Sequence, residues 1–192
     1  MALTPAQLTT RAIRHFLLAG LLLASSAWAQ TPAQITALRA AIFADAPSAT
    51  LLTAGDTQGL RTRLNADASF IVWKSSVSIT ETGRVFNGTE WAGMTSANHT
   101  RLQTIAQFMA TYRPELADTR AMFNEIWSGA NGTITRPAML TLWKRPALRA
   151  ERMLATGNGL DATPGILTWE GTISDHTTAV LVFRDNGTIW TP

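Results

Sequence analysis

The sequence predicts a mainly α-helical protein, a compact bundle of five or six helices with a small β element (a strand plus a hairpin) at the C-terminal end. Three observations predict it. Apolar residues recur three or four apart through most of the chain. Ser, Thr or Asp stands ahead of several of these runs as a helix cap. The loop signals between runs are short, so residues 30–192 read as a single globular domain. At 192 residues the chain can bury roughly two-thirds of its unfolded surface without metals or disulfides. A composition 46% hydrophobic and 15% charged excludes a disordered polymer.

Residues 1–29 read as a signal peptide or a start-site extension. Arg11 and Arg14 precede the apolar run Phe16–Ala24, and Ala27-Trp28-Ala29 supplies small residues for a cut before Gln30. The run is too short for a comfortable span, so no stable membrane span is expected in the mature form. Thr4-Pro-Ala-Gln-Leu-Thr9 recurs almost unchanged as Thr31-Pro-Ala-Gln-Ile-Thr36. Each copy carries a Thr cap, Pro in the first turn and Gln at the capping-box position, so each looks like a helix start.

From residue 31 the first helix carries Ile35, Leu38 and Ile42 and ends before Asp45-Ala46-Pro47. Asp56 caps a second, with Leu60 and Leu64. Ser69–Trp73 is a buried strand or a buried turn of helix; its length does not decide. Ser78 and Glu81 form a capping box that opens a segment closed by Asn87-Gly88. Leu102, Ile105, Met109 and Tyr112 share one face of a four-turn helix stopped by Pro114. Asp118 caps the next, which presents Met122, Phe123, Ile126 and Trp127 and stops at Gly129.

The stretch Thr135–Ser174 reads as one long amphipathic helix, a stop at Gly157 and a strand over Ile166–Gly171. Met139, Trp143, Ala147, Ala150 and Leu154 share one face. Lys144, Arg145, Arg149 and Arg152 fill the opposite side, with Glu151 among them. Pro146 predicts a kink or a break into two helices. Thr178–Phe183 and Thr188–Trp190 then flank Asp185-Asn186-Gly187 as a hairpin.

Little of this is chemistry. No cysteine is present, which removes disulfides, thiolate metal sites and thiol nucleophiles. Two of the sixteen Lys and Arg lie before residue 30, leaving fourteen against thirteen acids, too even for general attraction to nucleic acid or membrane. His15, His99 and His176 show no metal-ligand spacing, and Ser174-Asp175-His176 are sequence neighbours that cannot face one another as a triad. Glu125, Glu170 and Asp118 are acids with nothing to pair them. Asn87, Asn98, Asn131 and Asn186 begin Asn-x-Thr, but three of the four are Asn-Gly turns. Trp127 and Trp143 belong to helix faces, whereas Trp91 and Trp190 are freer to serve an interface. The expectation is no catalytic residue, no metal and no cofactor. The basic set Lys144, Arg145, Arg149 and Arg152 is the candidate interface.

Several segments carry a family resemblance: Thr31–Leu38, Phe70–Val77, Asn98–Gln103, Leu142–Arg145, Arg149–Arg152, Ala155–Gly157 and Trp169–Thr172. On these, residues from about Thr31 to Ser174 resemble small tailed-phage and prophage proteins encoded within virion morphogenesis clusters. The resemblance implies a non-enzymatic virion structural or assembly protein, acting near the head–tail joint or tail. It implies other virion proteins or a self-oligomer as partners, no nucleic acid, and a virion or host-cytoplasm location if residues 1–29 are a start-site artefact. The sequence departs from that pattern in its leader and in a hairpin-like tail where relatives end in a short polar helix. With a working signal peptide, the alternative is an exported periplasmic binding protein, prophage-encoded or bacterial, for example one that excludes superinfection.

Overall fold

Thr31 opens the first helix as its capping box requires. Its hydroxyl accepts from the Gln34 N–H while the Gln34 side chain accepts from the Thr31 N–H. A computed structural model describes residues 30–191; the leader expected over residues 1–29 lies outside them. Ten α-helices and two small antiparallel pairs of strands follow among the described residues, which are mainly helical but more finely divided than the five or six helices expected.

Helix α1 (Pro32–Ala44) meets α2 (Ala46–Thr53) at a bend of 107°. Asp56 then caps α3 (Thr57–Leu64) by accepting from the Gly59 N–H. Helix α2 had no signal beyond Pro47, because Asp45 spends its side chain on Ser48 and Arg63 and not on the helix start. Strand β1 (Asp67–Trp73) resolves the ambiguity at Ser69–Trp73, with Ala68, Phe70 and Val72 buried on alternate positions.

Strand β2 (Val77–Ser78) leads into α4 (Ile79–Arg84) through the Ser78–Glu81 capping box. Asn87 does not close this segment. It caps the next helix, α5 (Gly88–Ala92), by accepting from the Thr89 and Glu90 N–H groups. Helix α6 (Ser96–Phe108) ends one turn earlier than its apolar spacing suggests, and Tyr112 lies on β3 (Thr111–Tyr112), paired with Val77. Asp118 does not cap helix α7 (Ala117–Ile126), which starts after Leu116 and takes Asp118 into its first turn; a 3-10 turn follows over Gly129–Gly132.

The expected long helix is three elements. Helix α8 (Thr135–Leu142) stops at Trp143, β4 (Lys144–Leu148) runs antiparallel to β1, and α9 (Arg149–Leu154) resumes. Pro146 decides this. It biases Arg145 towards extended backbone, and it stands opposite Ile71, whose N–H and C=O bond to Gly159 and Gly165 on the far side of β1. That position in β4 therefore needs no donor, which is where a sheet tolerates proline.

Ile166–Gly171 forms no strand. Its pairing is one bridge between Thr156 and Ile166, while Gly165 bridges to Val72. The tail is likewise helical where a strand was expected. Ser174 accepts from the Thr177 N–H and opens α10 (Asp175–Val182), and the hairpin shrinks to a bridge between Phe183 and Ile189. Gly159 packs flat on Phe70, at a positive φ of 63° and so close that an added Cβ would lie 2.1 Å from the ring.

Two helical cores result. One gathers Leu38, Ile42, Leu52, Leu60, Leu64, Ala150, Leu181 and Val182 from α1, α2, α3, α9 and α10. The other gathers Leu102, Tyr112, Phe123, Ile126, Trp127, Met139 and Trp143 from α6, β3, α7 and α8. β1 carries the chain from the first core to the second and β4 carries it back, with Phe70, Val72 and Ala147 buried along the pair.

A carboxylate ties α5 to α8. Glu90 is 5% exposed and accepts from the Ile134 N–H at 2.7 Å, the Thr135 N–H at 2.8 Å and the Thr133 hydroxyl at 2.9 Å. These donors would otherwise be orphans at the start of α8. Burial pushes the Glu90 carboxyl up, but the hydrogen bonds from Ile134, Thr135 and Thr133 outweigh it and hold the pKa at about 2. A carboxyl depressed on folding contributes stability above its ordinary value near 4.5, and this is lost as pH falls towards about 2. Glu90→Gln is therefore less stable than the parent at pH 7, and the gap between their thermal midpoints closes across that acid window. Equal gaps at pH 7 and pH 2.5 would show that the charge of Glu90 does not hold α8.

Candidate functional site

The four basic residues proposed as an interface do not share a helix face. Lys144 and Arg145 lie on β4, Arg149 and Arg152 on α9, because the chain changes from strand to helix between them. Their surroundings differ as sharply as their backbones.

Lys144 reaches the Asp161 carboxylate at 2.7 Å and the Asp161 carbonyl at 3.1 Å. Arg145 is turned inward. Its Nη1 and Nη2 meet the two oxygens of Glu151 at 2.7 and 2.8 Å, and Nη2 and Nε reach Glu170 at 2.7 and 3.2 Å. Glu151 is 1% exposed and also accepts from the Leu148 and Gly171 N–H groups. The Ser75 hydroxyl donates to Glu170. Donation to Glu151, and after it to Glu170, raises the Arg145 pKa above its ordinary value against the opposing effect of burial. Glu170 is held below the usual range: burial would raise it, and Ser75 and Arg145 outweigh that. This two-carboxylate fork locks β4, α9 and the 170–171 loop together, and its planar bidentate geometry is one that lysine could not reproduce.

Arg149 and Arg152 have no such partners. Among the described residues neither makes an ion pair. They stand three apart on α9, where like charges are neighbours that repel. Both line a recess of about 300 Å³ with Ala41, Ala44, Asp45 and Met153. Asp45 does not neutralise them, because it accepts from Arg63 Nη2 at 2.9 Å and from the Ser48 hydroxyl. Those hydrogen bonds, Ser48 first and Arg63 after it, hold the Asp45 carboxyl below its ordinary value against a smaller opposing effect of burial. Arg149 also borders a shallower hollow of about 710 Å³, with Asp56, Gln58, Thr62 and Arg63 on its walls. The recess therefore offers two free guanidinium forks over a floor of alanine and methionine, chemistry suited to a carboxylate on an acidic surface.

The other residues considered for chemistry stay apart. Glu125 pairs with Arg101 at 3.0 Å on the surface, Glu170 is held by Arg145 and Ser75, and Asp118 begins α7. His99 lies edge-on to Trp91, with ring centres 4.5 Å apart, and His176 sits in the first turn of α10. No group of three or more His, Asp or Glu among the described residues could hold a metal ion. Trp127 and Trp143 are fully buried, as their spacing suggests. Glu151 and Glu90 were missed as buried acids. Neither had a local signal: Leu148 has no side-chain acceptor to make a capping box with Glu151, and the partners of Glu90 lie more than forty residues along the chain.

No single helix among the described residues is long and apolar enough to cross a membrane. No family model matches the chain, and neither a curated protein nor a solved structure matches it.

Proposed function

We propose that this protein is a non-enzymatic virion structural or assembly protein of a phage or prophage, working near the head–tail joint or tail. In this reading it docks other virion proteins, or further copies of itself, through the arginine recess of α9. The observation that carries the docking is that Arg149 and Arg152 line one recess whose single acid, Asp45, is already held by Arg63 and Ser48. The virion context rests on the resemblance of residues 31–174. An acidic side chain from a partner would supply the missing charge and relieve the repulsion between the two guanidiniums. Lys144 and Arg145 already hold the internal acids Asp161, Glu151 and Glu170, so their part is to fix β4 against α9 and the loops beside it.

Arg149→Glu with Arg152→Glu tests this. The double variant stays folded by circular dichroism, since surface changes usually move stability by less than about 0.5 kcal/mol each, and it loses co-sedimentation with virion proteins and infectious particle yield. A folded double variant that gives normal particles removes the recess from the interface. The signal-like pattern before Gln30 favours a second reading, an exported periplasmic binding protein using the same recess. Intact mass and compartment of the natural product separate the two. A chain beginning at Gln30 in the periplasm supports export, and one beginning upstream or near residue 31 in the cytoplasm supports assembly.

A further inference from the structure

A second cationic recess lies between α1 and α10, and the virion reading plays no part in it. The turn after α10 is tightly fixed. Arg184 donates its N–H to the Thr188 carbonyl at 2.8 Å and accepts from the Gly187 N–H at 2.8 Å. The Asn186 side chain accepts from both the N–H and the hydroxyl of Thr188. Gly187 takes the positive φ of 78° that such a turn needs. This turn delivers Trp190 back onto the helix, where its N–H donates to the Val182 carbonyl and its indole Nε1 to the Phe183 carbonyl. The indole is thus held at both ends, as a platform.

Two arginines stack on that platform from different parts of the chain. Arg39 of α1 lies 3.9 Å from the ring centre and Arg184 lies 4.6 Å from it. Arg39 also donates to the Val180 carbonyl at 2.8 Å and the Leu181 carbonyl at 3.3 Å, which closes the last turn of α10. Arg39 thus has a structural task. Arg184 has none: its side chain makes no hydrogen bond or ion pair among the described residues, and it brings a second positive charge beside the first. Burial lowers the Arg39 pKa, and the Arg184 charge lowers it further.

The two arginines, with His176, Asp185 and an apolar strip of Ala179, Val180 and Phe183, line a recess of about 230 Å³ against Trp190. This is below the range of pockets that hold drug-sized ligands. It suits one small anion, with the strip left for an apolar body. Asp185 pairs with neither guanidinium, yet it stands in the lining. Two arginines and one aspartate give a net charge of +1 with His176 neutral, which matches a single negative charge and penalises a second.

We propose that the recess formed by Arg39, Arg184 and Trp190 binds a small apolar monocarboxylate, either a free acid or the terminal carboxylate of a peptide. The carboxylate meets the Arg184 fork and the Nη1 side of Arg39, whose Nε and Nη2 already serve α10, and the apolar body lies along Phe183 and Val180.

The test follows the Trp190 indole N–H by NMR, assigned through its loss in Trp190→Phe. The probes are benzoate, benzyl alcohol, inorganic phosphate and an acetylated tripeptide ending in leucine, with and without C-terminal amidation. Benzoate is expected to shift the resonance saturably, whereas benzyl alcohol and phosphate do not. Arg184→Gln, which circular dichroism should show folded, weakens benzoate by about tenfold or more, as the loss of one charge-assisted contact implies. Asp185→Asn lets phosphate bind. A free-carboxylate peptide that binds while its amide does not assigns the natural source to chain ends; benzoate binding alone assigns it to free acids. No shift with either carboxylate, equal shifts with benzyl alcohol, phosphate binding to the parent protein, or benzoate binding unchanged in Arg184→Gln each overturns the proposal.

Discussion

Trp143→Ala destabilises the protein by about 3–5 kcal/mol, the range for truncating a large buried aromatic. For a chain of this size, that corresponds to a fall in thermal midpoint of roughly 10 °C. Trp143 is fully buried at the junction of α8 and β4, and three effects combine on its removal. Its ring packs edge-to-face with Phe123 at 5.0 Å and lies 6.4 Å from Tyr112, so a cavity opens at the centre of the second core. Its Nε1 donates to the Thr82 hydroxyl at 3.2 Å, and Thr82 is itself fully buried, so α4 loses a polar partner where water cannot replace it. Its carbonyl accepts from the Lys74 N–H, so its position also sets where β4 begins. Trp143→Phe separates these. It restores most of the ring packing but not the donor to Thr82, and its loss falls between those of the parent and the alanine variant. A denaturant midpoint that barely moves in Trp143→Ala would show that the second core does not depend on this ring.

The burial of Trp143 was legible for a reason that proves only partly right. Met139, Trp143, Ala147 and Ala150 are all buried, as a helical stripe predicts, but they belong to a helix end, a strand and a second helix. The spacing survives because strand alternation places Ala147 inward between exposed Pro146 and half-buried Leu148, so two different periods give nearly the same inward positions. Pro146 was the local sign of the break. What it could not show was a partner strand more than seventy residues earlier that makes extended backbone a better outcome than a kinked helix. The tail failed in the opposite direction. Thr178–Phe183 is rich in β-formers, yet the Ser174 cap and the burial of Thr178, Leu181 and Val182 against α3 and its neighbours select a helix, a case of tertiary context overriding propensity. Caps were dependable where the side chain closes on its own turn, as Thr31, Asp56 and Ser78 do, whereas Asp118 lies inside the helix it was expected to cap. The candidate site was least legible for the converse reason. Which arginine is free and which is held depends on Glu170, which reaches Arg145 only through the fold, and on Arg63, which takes Asp45 away from Arg149 and Arg152.

Arg145→Met is expected to cost about 3–5 kcal/mol, comparable to the loss of Trp143 despite its place among surface-looking arginines. The cost is that of leaving a buried charge unpaired. Glu151, with its side chain 2% exposed, would keep only the Leu148 and Gly171 N–H groups, and Glu170 would keep Ser75. Two carboxylates brought together by one guanidinium would then face each other without it. Charge reversal to Glu at this position would add a third acid and should prevent folding, in contrast to Arg149→Glu and Arg152→Glu, which touch no internal acid. Arg145→Lys would restore the charge but not the fork, and should recover only part of the loss because one ammonium cannot serve both oxygens of Glu151 and one of Glu170 in plane. The decisive comparison is Arg145→Met combined with Glu151→Gln. Removing the charge from both partners while keeping an acceptor for Leu148 or Gly171 should bring the double variant closer to the parent than Arg145→Met alone, a coupling of opposite sign to simple additivity. If urea denaturation instead shows the two losses adding, Arg145 and Glu151 stabilise the protein independently, and the fork between β4, α9 and the 170–171 loop is not what holds them together.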